Sequence, residues 1–218
     1  MSKIVCLADQ HGYLPEIPQC DILLIAGDIC PLNDHGIRYQ KTWLNFLFRD
    51  WLKSVPASHI VGVAGNHDYV FEKNAHKDLN LPWDYLHKQD VKINDLKIWG
   101  SPYQLHFFDW AFNAPENDGE SYLANIYADI PEDTDIIISH GPPKGYGDLT
   151  SRGEHVGSEA LLKRIKEVKP KYVITGHIHF GRGIFEIDHG QSITKVINAS
   201  VLTEKYKPVD GKLFEFDL

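Results

Sequence analysis

The stretch Ile60-Val61-Gly62-Val63-Ala64-Gly65-Asn66-His67-Asp68 decides how the chain is read. Its first half is short and apolar, the pattern of a buried strand. Its second half is a glycine–asparagine turn followed by two side chains that titrate or bind metal. A rigid strand that ends in a turn and presents polar groups at a sheet edge is how many α/β proteins build a site. Taken alone, the same residues also describe an ordinary tight turn. The rest of the chain separates the two readings.

The same arrangement recurs along the sequence. Ile4–Ala8 is an apolar run ending at Asp9-Gln10-His11-Gly12, and Asp21–Ala26 ends at Gly27-Asp28. Asp135–Ser139 ends at His140-Gly141-Pro142-Pro143, and Tyr172–Thr175 ends at Gly176-His177-Ile178-His179. Between these runs, helical spacing predicts helices over about 34–55, 119–130 and 159–168. In the first of them Trp43, Leu47 and Trp51 recur beside Leu44, Phe48 and Leu52, a stripe read as core packing. Val91–Ile93 and Leu96–Trp99 flank Asn94-Asp95 as a hairpin, and runs at 183–187, 192–197 and 213–216 predict an antiparallel tail. No linker, repeat or break in composition divides residues 1–218, so one α/β domain is expected.

Composition narrows the function. With 43% hydrophobic and 24% charged residues the chain has an ordinary globular balance, and no apolar run approaches the roughly 18 residues of a membrane span. Met1 to Val5 runs straight into a strand and lacks the layout of a signal peptide. Cys6, Cys20 and Cys30 are odd in number and lack metal-knuckle spacing, which reads as free thiols in a reducing, cytoplasmic setting. The net charge of −8, without a Lys/Arg block, argues against long nucleic acids as surface-bound partners. A phosphate could still be held where the site itself supplied positive charge.

Singly, the polar strand ends have dull explanations: a capping aspartate, a turn, a hydrogen-bonded histidine. His177-x-His179 is stronger, because alternate residues of an extended segment face one side. Together the ends amount to two carboxylates, one amide oxygen and four imidazoles gathered at one sheet edge. That mixed oxygen and nitrogen set suits Mn, Fe, Co or Zn, not an all-oxygen calcium cage. Seven ligands exceed the need of one tetrahedral ion and suit two ions that share a carboxylate.

In this order, Asp9-x-His11, Gly27-Asp28, Gly65-Asn66-His67-Asp68, His140 and Gly176-His177-x-His179 resemble the signature of the calcineurin-like metallophosphoesterases. The resemblance implies a sandwich of two mixed β-sheets flanked by helices, with two divalent transition-metal ions (Mn, Fe or Zn, Mn being favoured in vitro) at the strand ends. Carried over by position, Asp9, His11, Asp28 and His179 hold one ion, and Asp28, Asn66, His140 and His177 hold the other. Asp28 bridges, a hydroxide between the ions attacks phosphorus, and His67, not a ligand, serves the leaving oxygen as acid or charge stabiliser. Two such ions bring four positive charges against the two negative charges of Asp9 and Asp28. The pocket is then cationic within an acidic protein.

Two departures narrow the class. Pro31 and Leu32 stand where Ser/Thr protein phosphatases carry an Asp and an Arg, and Ala64 stands where they carry an Arg. The clamp for a dianionic monoester is missing, and the carboxylate that orients His67 is unassigned, with Asp68 and Asp34 as candidates. Ser139 to Pro143, Trp110 to Asn113 and Ile197 to Ser200 resemble the metallophosphoesterase-domain proteins related to class III cyclic nucleotide phosphodiesterases. That narrower resemblance implies hydrolysis of small, cyclic-nucleotide phosphodiesters, with Trp110, Phe112 and Asn113 as substrate contacts. The alternatives are a phosphomonoesterase on another metabolite and, in a different class, a non-catalytic scaffold. Retained ligands weigh against the scaffold.

Overall fold

The computed structural model describes residues 1–218. Strands β1 (Lys3–Leu7), β2 (Cys20–Ala26) and β3 (Ala57–Val63) are parallel neighbours. One helical run joins β2 to β3: α1 (Ile37–Trp43), a π-helical turn (Leu44–Phe48) and α2 (Arg49–Ser54). After β3 come a single turn, α3 (Tyr69–Glu72), and the short strand β4 (Asp84–Tyr85). The hairpin β5 (Gln89–Ile93) and β6 (Leu96–Ser101) turns at Asn94, whose φ of 54° is one that asparagine tolerates. Then follow α4 (Gly119–Tyr127), β7 (Ile136–Ser139), α5 (Glu159–Val168) and β8 (Tyr172–Thr175). A 3₁₀ turn (His179–Gly181) leads into β9 (Gly183–Asp188), β10 (Ile193–Asn198) and β11 (Phe214–Asp217).

These strands make two mixed sheets, ordered β11-β1-β2-β3-β4 and β5-β6-β7-β8-β10-β9. In the second, β6, β7, β8 and β10 run parallel between antiparallel edges. Alternation along the strands builds three cores. Ile4, Cys6, Ile22, Leu24 and Val61 meet Ile98, Ile136, Ile138 and Ile174 between the sheets. Val5, Leu7, Leu23 and Ile25 face the other way and pack under Trp43, Leu44, Phe48 and Leu52. Ile137, Val173 and Val196 likewise pack under Leu123, Ile126, Leu161 and Ile165. A strand buried on both faces reads as a continuous apolar run, which is why these strands stand out in the sequence.

The helices start and stop for local reasons. The Ser158 hydroxyl accepts the Leu161 N–H at the start of α5, and the chain turns left-handed at Lys169 (φ 55°) just before Pro170. The aromatic stripe over 43–51 needs correction: Leu47 is 58% exposed, although Leu44, Phe48 and Leu52 are buried. The π-helical turn adds a residue to the helical repeat and swings Leu47 and Phe46 outward. The tail also divides. β9 and β10 close the second sheet, while β11 crosses to pair antiparallel with β1. No helix is long and apolar enough to cross a membrane.

Candidate metal centre

In both sheets the parallel strands aim their C-terminal ends at one edge, and the polar residues gather there. Asp9 and His11 follow β1, Asp28 follows β2, and Asn66 and His67 follow β3. His140 follows β7, while His177 and His179 follow β8. Four of these residues have left-handed backbone: Asp9 (φ 56°), His11 (43°), Asp28 (53°) and His177 (67°). Such conformations cost of order 1–3 kcal/mol each and persist where the surroundings enforce them. They also correct one expectation. His177 and His179 do not alternate along an extended segment, since His177 is left-handed and His179 opens a 3₁₀ turn. The turned backbone, not strand alternation, brings both rings to the site.

Close backbone approach explains Gly27. Its φ is 92°, and a Cβ there would lie 2.6 Å from Nδ1 of His140 and 2.7 Å from the Ala64 carbonyl oxygen. The neighbouring Gly65 is pinned by Asp68. That carboxylate accepts the Gly65 N–H at 2.7 Å, the Cys30 N–H at 2.8 Å and the Ile29 N–H at 3.0 Å. Asp68 therefore stitches the β2 and β3 exits together, and it does not orient His67.

Backbone acceptors fix two of the rings. His140 Nδ1 donates to the Ala26 carbonyl at 2.9 Å, and His179 Nδ1 donates to the Thr203 carbonyl at 3.0 Å. The Nε2 of each ring then turns a lone pair inward. For His140 that lone pair meets Oδ1 of Asn66 at 2.8 Å, and for His179 it meets Nε2 of His11 at 3.2 Å. His177 Nδ1 lies 2.7 Å from the same Asn66 oxygen, whose amide nitrogen is buried without a partner. Asp28 lies between His11 and His140, 3.6 Å from a nitrogen of each. Asp9 takes the His177 N–H at 2.9 Å on one oxygen and the Ser200 hydroxyl on the other.

Lone pairs facing lone pairs repel unless a cation lies among them. Three overlapping groups have donor atoms within 4.8 Å of one another: Asp9–His11–His179, His11–Asp28–His67 and Asp9–Asp28–His140. Oxygen and imidazole nitrogen in this number fit divalent transition metals. Electrostatics agree. Burial first, then Asp68 and Asp9, pushes the Asp28 carboxyl well above its ordinary range, so its charge wants a cation. Burial first also depresses His11, His140 and His177, and takes His67 down to about 3, with His35 the next cause.

A stability prediction follows for the chelated protein. These four histidines have folded values below the ordinary 6.5, so their neutral forms favour folding above that pH. The contribution is lost as pH falls through 6.5 toward the folded values. Asp28 and Asp68, both raised, act in the opposite direction. On acidification through that range, though, unfolding takes up protons on four histidines and releases them from only two carboxyls. Stability should fall as the pH drops from about 7 to about 5. A melting temperature that holds or rises on acidification would contradict this.

The site opens into a cleft of about 690 Å³. Trp110 lines it and packs on His67 with ring centroids 4.2 Å apart, beside the exposed Phe107 and Phe108. Phe112 and Asn113 lie elsewhere. Phe112 is buried in the core under the first sheet. The Asn113 amide is engaged within its own loop, with Phe108 O at 2.6 Å and Gln104 Nε2 at 2.9 Å. The opposite wall was not foreseen. It carries Arg152 at the tip of a hairpin-like turn, and the Ser151 hydroxyl donates to Glu204 at 2.8 Å, both lining the cleft. A turn arginine beside glycine reads in sequence as a solvated side chain, so nothing flagged it. Ser200, which orients Asp9, was visible only as part of the Ile197–Ser200 segment.

Comparison with known proteins agrees with this geometry. A family model described as calcineurin-like phosphoesterase matches residues 3–181. Metallophosphoesterase domain-containing protein 1 of Homo sapiens is 30% identical over 239 residues, covering 96% of this chain and 69% of its own length. Its Mus musculus counterpart matches equally. Among solved structures, a protein of Thermus thermophilus superposes with a TM-score of 0.57 at 16% identity, covering 89% of this chain and 88% of its own. A purple acid phosphatase from yellow lupin gives 0.53 at 12% identity, covering 98% of this chain and 47% of its own.

Proposed function

The chain belongs to the calcineurin-like phosphoesterases, and on that premise we propose that it is a metal-dependent phosphodiesterase acting on a small nucleotide, cyclic nucleotides foremost. One observation carries the metal dependence: the inward lone pairs of His140, His179, Asn66 and the two aspartates have too few donors among them. Asp9, His11, Asp28 and His179 would hold one cation, and Asp28, Asn66, His140 and His177 the other. When bound, such ions supply Lewis acidity toward phosphoryl oxygens and acidify the attacking water.

The chain's own residues do the rest. Asp28 is held by the His67 N–H at 2.8 Å and faces both halves of the site. His67 lines the cleft outside both ligand sets, and it would give a proton to the departing oxygen. The exposed aromatics by Trp110 offer a flat wall for a base. Mn is the ion we expect to support activity best in vitro, and the cytoplasm is the expected setting.

A second reading, hydrolysis of phosphomonoesters, is favoured by Arg152. It supplies in the cleft the guanidinium that the β-strand motifs lack. Turnover on a panel of diesters and monoesters with Mn, before and after chelation, decides between them. Diesters should be faster, and chelation should abolish both activities. Nucleoside monophosphates hydrolysed faster than cyclic nucleotides would establish the second reading. Within the diester reading, Trp110→Ala should raise KM for a cyclic nucleotide by about 5- to 100-fold, matching a base stack of about 1–3 kcal/mol. A small aryl diester should be affected far less, because it has no base to stack. Equal losses on both would mean that Trp110 only packs.

A further inference from the structure

We propose that His35 is the positioning residue of His67, holding its ring so that Nε2 meets the leaving oxygen of the substrate. The proposal deepens the reading of His67 as proton donor and rests on it. Nε2 of His35 lies 3.1 Å from Nδ1 of His67. Neither carboxylate that the sequence offered occupies that place. Asp68 is engaged with the N–H groups of Gly65, Ile29 and Cys30, and Asp34 accepts the Gly36 N–H at 2.7 Å in an exposed turn. The Asp34–Gly36 turn fixes the loop on which His35 sits, and Tyr69 backs its ring at 5.4 Å.

Three neighbours thus determine the pose of His67. Trp110 covers the ring at 4.2 Å, His11 meets it edge-on at 5.0 Å, and His35 holds Nδ1. Two aromatic contacts limit the ring's tilt, but a ring flip would exchange Nδ1 for a carbon. Only a hydrogen bond distinguishes those states, which is why an orienting partner matters.

The proton count closes. Burial alone leaves His67 neutral, and the negative charge of a phosphodiester bound beside it favours uptake of a proton. The resulting imidazolium bears hydrogen on both nitrogens, and Nδ1–H donates to the Nε2 lone pair of His35. As the phosphorus–oxygen bond to the leaving group breaks, its electron pair goes to that oxygen, which takes the Nε2 proton of His67. His67 is left neutral with its hydrogen on Nδ1, still bound to His35. The leaving group departs as an alcohol.

The test uses the Mn-loaded protein and two esters of thymidylate that differ only in leaving group, p-nitrophenyl and phenyl. A p-nitrophenoxide departs without a proton, whereas phenoxide is about as basic as a tyrosinate. His35→Ala should lower the phenyl-to-p-nitrophenyl rate ratio by roughly 10- to 100-fold, the usual cost of losing an orienting partner. Metal content should be unchanged. His35→Gln, whose amide reaches the same point, should recover most of the ratio. Added to His67→Ala, His35→Ala should cause no further change.

Because both rates come from one preparation, partial misfolding cancels from the ratio. An unchanged ratio in His35→Ala, or one that Gln fails to recover, overturns the positioning role. If His67→Ala itself leaves the ratio intact, the proton-donor reading has failed first, and this proposal falls with it.

Discussion

Asp28→Asn should strip metal from both halves of the site and lower turnover by on the order of 10³-fold or more, equivalent to about 4 kcal/mol of lost charge stabilisation. The position is central. Asp28 belongs to two of the three donor groups, one with His11 and His67 and the other with Asp9 and His140. It is also one of only two carboxylates that those groups contain. The amide has nearly the same shape, and asparagine tolerates the left-handed backbone at φ 53°. Charge alone is therefore being removed. Burial holds the Asp28 carboxyl well above its ordinary range, so without a cation its ionised form works against folding. The chelated variant should accordingly melt no lower than the chelated parent at neutral pH. Loss of metal together with retained stability separates this mechanism from misfolding. A variant that keeps two ions and parental turnover would remove Asp28 from the bridging role.

How much of this was legible in the sequence depended on whether a feature is local. The apolar runs at Ile22–Ala26 and Ile136–Ser139 are buried on both faces, so hydrophobicity alone marks them. Each parallel strand must end at the same edge, so the polar residues after the runs could be gathered without coordinates. What escaped was set by backbone detail or by distant pairing. The π-helical turn that exposes Leu47 leaves no compositional trace. Phe112 and Trp110 look alike in sequence, yet one is 2% exposed in the core and the other covers His67. The difference lies in a loop whose shape is fixed by Asn113 bonding Phe107 and Phe108, which explains why Asn113 itself was misread as facing substrate. His35 and Arg152 sit in turns where histidine and arginine are unremarkable, and only the fold brings the one to His67 and the other to the cleft.

His67→Ala should lower turnover by roughly 10²–10⁴-fold, the range for a group that gives a proton to the leaving oxygen or stabilises its charge. The loss should fall in kcat, with KM for the best diester little changed, because the interaction forms only as the bond breaks. Metal content is the discriminating measurement. His67 stands close enough to His11 and Asp28 to be a ligand by distance alone. Its Nδ1, however, is taken by His35, and its backbone N–H, which alanine keeps, is what holds Asp28. The substitution therefore leaves Asp28 anchored and should leave both ions in place. His140 makes the contrast. Its Nδ1 is tied to the Ala26 carbonyl and its Nε2 points at Asn66, so His140→Ala should release metal. The space between Trp110 and His35 that the missing ring vacates is imidazole-shaped and opens on the cleft. Added imidazole should then restore part of the rate in His67→Ala and none in His140→Ala, whose defect is the metal. If His67→Ala loses its metal while His140→Ala retains it, the two histidines have exchanged roles and the proton must come from another group.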